Sequence, residues 1–197
     1  MNSFMDIKGN ADLQCGANVS FTYDRFCEVK SAIYINNGFL QVPPGVYFSG
    51  DFTLIAWINL KSYQTSSRII DFGNGETADN VIFALANNNS NLVIDINSPD
   101  SNIIIVASSI TLELNKWYHV ATVLNGTNGY IYVNGKLATS STLDVPRNVQ
   151  RANNYIGKSN WYQDPKANAV YDELKLYQTA LSEIFIMSDY TISSNNG

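Results

Sequence analysis

The chain has 197 residues, with 45% hydrophobic and 15% charged residues, two cysteines and a formal net charge of −5. That balance fits one folded domain able to bury a single core and excludes a disordered chain. The 12 basic residues are nowhere clustered, which excludes a nucleic-acid footprint, and no apolar run approaches the ~20 residues of a membrane span.

Residues 1–27 are read as an N-terminal strand segment of the same domain. The first fourteen, MNSFMDIKGNADLQ, lack the basic and apolar regions of a secretory leader, so an extracellular reading requires a longer precursor. Cys15 and Cys27 both lie in this segment, and a disulfide between them is expected to staple it. Short strand-like runs follow, separated by turn signals. They are Ser31–Ile35, Phe52–Asn59, Arg68–Phe72, Val81–Ala86, Leu92–Ile96, Ile103–Ala107, Trp117–Leu124, Tyr130–Val133, Tyr155–Ile156 and Val170–Tyr177. Asn37-Gly38, Asn125-Gly126 and Asn134-Gly135 supply residues that tolerate positive φ. Many short strands with such turns predict an all-β fold, a two-sheet antiparallel β-sandwich of jelly-roll type, over residues 28–192. Ser182 is placed to cap one or two helical turns through Glu183–Asp189, and residues 193–197 (SSNNG) read as a disordered tail.

Catalytic chemistry finds little support. The single histidine, His119, sits inside the strand WYHVATV, no serine is framed as G-x-S-x-G, and no His or Cys group has zinc spacing. Glycoside hydrolysis needs two carboxylates on one surface. The nearest pair, Asp172-Glu173, points to opposite faces of a strand. Oxygen ligation fares better. Asp79-Asn80 precedes a strand, and Asn160, Gln163 and Asp164 share the loop after Ile156. Two such loops at one end of a sandwich could share a calcium ion through carboxylates, amides and carbonyls; the alternative is that Asp79 and Asn80 simply make an Asx-type turn into the strand.

The segments GDFTLIAWINL (50–60), LNKWYHVATVLNGTNGYIYVNGKLATS (114–140), NNYIGKSNW (153–161) and YDELKLYQTALSEI (171–184) occur in an order and spacing that resembles the concanavalin-A-like, laminin-G-like superfamily. The segment RIIDFGNGETADNVIFAL (68–85) resembles the part of pentraxins where an Asp-Asn pair binds calcium. The resemblance implies one Ca2+ ion on Asp79, Asn80, Asn160 and Asp164. The acids of the second loop are reduced to Asp164, which argues against a two-ion site.

RANNYIGKSNW (151–161) leads into this loop. Trp161 and Tyr162 are large loop aromatics suited to stack on a sugar, with Asn160 and Gln163 to bond its hydroxyls, unless Trp161 instead plugs the core. Tyr63 is expected to be exposed at the same end as Asp79, and Trp57 to look into the concave groove. The leading expectation is a non-catalytic extracellular binding module for a glycan or a cell-surface glycoprotein. The alternatives are a protein–protein adhesion module and, behind it, a glycoside hydrolase or lyase.

Overall fold

The computed structural model describes residues 4–6, 8, 11–85, 91–98, 101–106 and 110–195; for Cys15, Ser98 and 101–106 it describes the backbone alone. Among these residues the chain forms β1 (Gln14–Thr22), β2 (Ala32–Val42), β3 (Phe52–Leu60), β4 (Arg68–Gly73), β5 (Asn80–Leu85), β6 (Leu92–Ser98), β7 (Ser101–Val106), β8 (Trp117–Asn125), β9 (Asn128–Val133), β10 (Lys136–Thr142), β11 (Asn153–Ile156), β12 (Ala167–Tyr177) and α1 (Glu183–Asn195). Each run predicted as a strand is found as one; Ala86 and Ala107, the predicted ends of two of them, lie outside the described residues.

The strands follow one antiparallel path, β10-β9-β8-β3-β12-β2-β11-β4-β5-β6-β7. The path folds over into two layers because β2 belongs to both. Its first part, Ile33 to Gly38, pairs with β12, and its last part, Leu40 to Val42, pairs with β11. The first layer is then β10-β9-β8-β3-β12, and the second is β11-β4-β5-β6-β7. Leu54, Ile58, Val120 and Ile131 of the first layer share one buried cluster with Phe72, Phe83, Ile94 and Ile156 of the second. This is the predicted sandwich. The chain passes between layers at Asn37-Gly38, with Asn37 at φ 48°. Along the other edge of β2 runs β1, irregular between Gln14, Ala17 and Val19. A Cβ on Gly38 would stand 2.0 Å from the Ala17 carbonyl oxygen, so glycine is required for this crossing.

The helix covers the outer face of the first layer. Ile186 is fully buried against Ile55, Ala121, Val123 and Tyr132. Ser182 caps the helix as expected, its Oγ accepting from the Phe185 N–H at 3.3 Å. The helix then continues to Asn195. Ser193 to Asn195 are therefore its last turn and not the expected tail; Asn196 and Gly197 lie outside the described residues. Trp57 is buried under this helix, not open to a concave groove, and donates its Nε1–H to Ser193 Oγ at 2.9 Å. His119, fully buried, meets the edge of Trp57 and places Nε2 3.1 Å from Asp189 Oδ2.

The expected Cys15–Cys27 disulfide is not formed: Cys27 is a free, exposed thiol. β1 runs extended from Gln14 to Thr22, which carries Cys15 roughly 20 Å from the loop that holds Cys27. A disulfide needs Cα atoms within about 7 Å.

Gly38→Ala is expected to lower stability by about 1–3 kcal/mol, read as a lower urea midpoint with an unchanged slope. An unchanged midpoint would mean that β1 can draw back from β2 without cost.

Candidate binding face

With the first layer sealed by α1, the outer face of the second layer is where a loop and a sheet meet. Tyr155 of β11 stands opposite Asp71 of β4, Asp71 opposite Ile82 of β5, and Ile82 opposite Asp95 of β6. These four form one row across the sheet. The Asp71 carboxylate is fully buried. It accepts from Asn160 N (2.8 Å), Asn160 Nδ2 (2.8 Å) and Asn80 Nδ2 (2.9 Å), and Arg68 Nε lies 3.6 Å away. Burial pushes its pKa up, and these donors with the Arg68 charge act against that rise.

Loop 158–166 folds back over this face on those bonds. Its ends are drawn together where Ala167 N donates to Gly157 O at 2.7 Å, with Gly157 at φ 81°. Asn160 also donates to the Asn153 carbonyl at 3.1 Å. Ser159 Oγ donates to Asp164 Oδ2 (2.8 Å) and accepts from Trp161 N (3.0 Å). Arg68 donates to Asp164 Oδ2 at 2.7 Å, and its guanidinium lies 5.6 Å from the Trp161 ring. Trp161 is half-buried and joins neither core cluster, so it is not a core plug. Tyr162 is 95% exposed, and Gln163 is exposed beside it.

The residues leading into the loop serve the fold. Arg151 is fully buried and donates to the carbonyls of Asp79 (2.7 Å), Phe48 (2.8 Å) and Arg147 (3.3 Å). Asn154 donates to the carbonyls of Pro43 (3.0 Å) and Arg151 (2.8 Å).

The four expected calcium ligands do not fit a shared ion. Asp79 takes Arg147 on both oxygens, at 2.6 and 2.7 Å, and hydrogen bonding from Arg147 holds its pKa low. Asp164 faces Arg68. Asn80 and Asn160 aim their NH2 groups, not their oxygens, at Asp71, whereas calcium needs oxygens converging on it. Among the described residues no group of three or more His, Cys, Asp or Glu could hold a metal. Tyr63 is 40% exposed in the loop before β4. Asp79 lies beyond the far end of that strand, so the two stand at opposite ends, roughly 20 Å apart along it.

A family model for laminin G domains matches residues 35–186. The chain belongs to the concanavalin A-like lectin/glucanases superfamily. Within that superfamily it is 27% identical over 159 residues to the protein eyes shut homolog of Pongo abelii, a match covering 73% of this chain and 5% of that protein. The chain thus spans a small fraction of the curated relative. Its fold is similar to the binding domain of Paraclostridial Mosquitocidal Protein 1, with a TM-score of 0.72 at 19% identity over 96% of this chain and 49% of the other. It is also similar to domain 4 of the extracellular arabinanase of Geobacillus stearothermophilus in complex with arabinotriose, with a TM-score of 0.71 at 18% identity over 95% and 92% of the two chains. No helix among the described residues is long and apolar enough to cross a membrane.

Sequence reasoning missed Arg68 and Asp71, which organise the loop of this concanavalin A-like domain. A usable signal was present: an aspartate within the otherwise apolar run IIDF, placed to be buried and therefore in need of donors. A groove between α1 and β12 has a volume of about 210 Å³ and includes Lys175, Glu173 and Asp189 in its lining. It is smaller than the roughly 300–1,000 Å³ of small-molecule sites. Lys175 also bonds both acids, at 2.9 and 2.8 Å.

Asp95 is the uncompensated acid of the face. Among the described residues its Oδ1 has no hydrogen-bond partner, and burial first, then the charges of Asp71 and Asp144, push its pKa to about 6 against the pull of Arg68. Folding therefore raises its proton affinity. The stability linked to this group is fully present below pH 3.8 and is lost as pH rises through about 6. Asp95→Asn is expected to raise the melting temperature at pH 7.5, with a smaller gain at pH 4. Equal gains at both pH values would show that ionisation of Asp95 carries no cost.

Proposed function

We propose that this domain is a non-catalytic, extracellular binding module that holds a saccharide on the outer face of the second layer, at loop 158–166. The observation that carries the reading is Tyr162, an aromatic side chain 95% exposed on a loop braced from within by Asn160, Ser159 and Asp164. A tyrosine ring already uncovered on a braced loop is placed to stack on a ligand while its hydroxyl stays in water. Its ring, with the half-buried Trp161 beside it, offers flat apolar surface to the C–H face of a pyranose or furanose, and exposed Gln163 offers an amide for hydroxyls. The arabinotriose complex of a similarly folded domain supports a saccharide as the ligand class.

The acids of the domain support a binding role over hydrolysis. Asp71 and Asp95 share one face two strand spacings apart, roughly 10 Å, but Asp71 is sealed beneath the loop and bonded by three donors. Asp172 and Glu173 both bond Arg25. Among the described residues these acids leave no pair of free carboxylates flanking an open cleft, as glycoside hydrolysis requires.

A protein–protein module is the second reading, favoured by the apolar surface of α1, where Ile184, Met187 and Ile192 are 74%, 52% and 58% exposed.

A glycan array followed by calorimetric titration of the best binder tests the proposal. Tyr162→Ala and Trp161→Ala are each expected to weaken binding roughly tenfold or more, with the melting temperature of the Tyr162 variant unchanged. A bound saccharide indifferent to both substitutions would move the site elsewhere.

A further inference from the structure

The same loop carries a feature that narrows the ligand, provided the saccharide reading above holds. Lys158 opens the loop and Lys166 closes it, and the 2.7 Å bond from Ala167 N to Gly157 O brings these two positions together at its neck. Both side chains turn to one aromatic pair on the outer face. Phe39 of β2 and Tyr155 of β11 pack edge to face, with centroids 5.7 Å apart. Lys158 Nζ lies 4.8 Å from the Phe39 ring and 4.1 Å from the Tyr155 ring, and Lys166 Nζ lies 5.5 Å from the Phe39 ring. Sharing Phe39, the two ammoniums are at most about 10 Å apart.

Among the described residues neither ammonium has a carboxylate or carbonyl partner. Asp164, on the same loop, is engaged by Arg68 and Ser159, and Asp71, behind Tyr155, is engaged by Asn160 and Asn80. Each ammonium has three donors, and an aromatic face satisfies the charge without taking those hydrogens. Two cations therefore converge with free donors in a chain of net charge −5, where counter-charge is abundant yet none of the described acids is placed here.

We propose that Lys158 and Lys166, backed by Phe39 and Tyr155, form an anion subsite, so that the saccharide held by this face bears carboxylate or sulfate groups. The two lysines receive the anion, and Tyr162 and Trp161, on the same loop, take the sugar ring that carries it. Lysine acts here as a mobile point charge and reads charge more than shape. The subsite therefore selects acidic from neutral sugars and leaves the linkage to the aromatic groups.

The test titrates the protein with three tetrasaccharides: a neutral galactan, its carboxylate counterpart tetragalacturonate, and a sulfated heparin tetrasaccharide. Wild type is compared with the double variant Lys158→Gln/Lys166→Gln, whose melting temperature should match wild type, and with Lys158→Arg/Lys166→Arg. The expected result is binding of at least one acidic probe tenfold or more tighter than the galactan. That preference should be lost in the glutamine variant, kept in the arginine variant and weakened by raising the ionic strength from about 0.05 to about 0.3 M. Preference for tetragalacturonate or for heparin identifies the anion as carboxylate or sulfate. Binding of the galactan as tight as that of the acids overturns the subsite and leaves the saccharide reading intact. So does acidic binding that the glutamine variant retains. Failure of all three probes overturns both when no saccharide of any kind binds on an array, and the subsite alone when only neutral saccharides bind there.

Discussion

One buried carboxylate organises the outer face of the second layer. Asp71 sits in the middle of a strand whose neighbours are isoleucine and phenylalanine, and it is fully removed from solvent. An ionised carboxylate in such a place is tolerated only if its oxygens are bonded. The backbone and side-chain amide of Asn160 meet that demand, together with Asn80 from the adjacent strand and the charge of Arg68. Because Asn160 belongs to the loop after β11, the need of Asp71 for donors is also what folds loop 158–166 down onto the sheet. Arg68 then has a free edge that takes Asp164, and Asp164 takes Ser159. The display of Trp161 and Tyr162 is the far end of that chain of dependencies.

The two outer faces meet the same problem in opposite ways. On the first layer α1 closes the surface, and the charged groups beneath it are consumed internally. Arg25 holds Asp172 and Glu173, Lys175 holds Glu173 and Asp189, and Asp189 meets His119. The lone histidine is thus a packing residue against Trp57, with no substrate-facing surface. On the second layer the cover is a nine-residue loop, too small to close the sheet; among the described residues Lys158 and Lys166 have no carboxylate partner, and the Tyr162 side chain stays exposed. Only this second arrangement leaves chemistry available to a ligand.

The sandwich was readable because its strands are short runs rich in apolar, β-branched and aromatic residues, and several of its turns are marked by Asn-Gly pairs. β10 was not, since KLATSST is an exposed edge strand whose place comes from the Asn134-Gly135 turn and its pairing with β9. The length of α1 was hidden for a different reason. Thr, Ser and Asn are weak helix formers, yet here Thr191, Ser193 and Ser194 return their hydroxyls to the carbonyls of Met187, Asp189 and Tyr190, and Ser193 also receives Trp57. At the site, the loop aromatics were legible as residue types. Whether an acid would meet a metal or a guanidinium was not, because Asp79 and Arg147, and Arg68 and Asp164, are 68 and 96 positions apart. Such pairings are set by the fold and leave no local pattern.

The asparagines around β11 explain how a weakly charged chain can build a rigid site. Asn154 and Asn160 each bridge backbone carbonyls or a carboxylate through one neutral NH2 group. A lysine in either place would bring a charge whose burial costs several kcal/mol unless fully paired. With amides as the internal fasteners, the loop is fixed before any ligand arrives, and binding need not order it, an entropy cost that flexible loops bear at the moment of association. Fixing the loop through Asn160 and the Arg68–Asp164 pair has a second consequence. The cations at its neck, Lys158 and Lys166, are not needed to hold it, so their charge stays outward and is not cancelled by the fold.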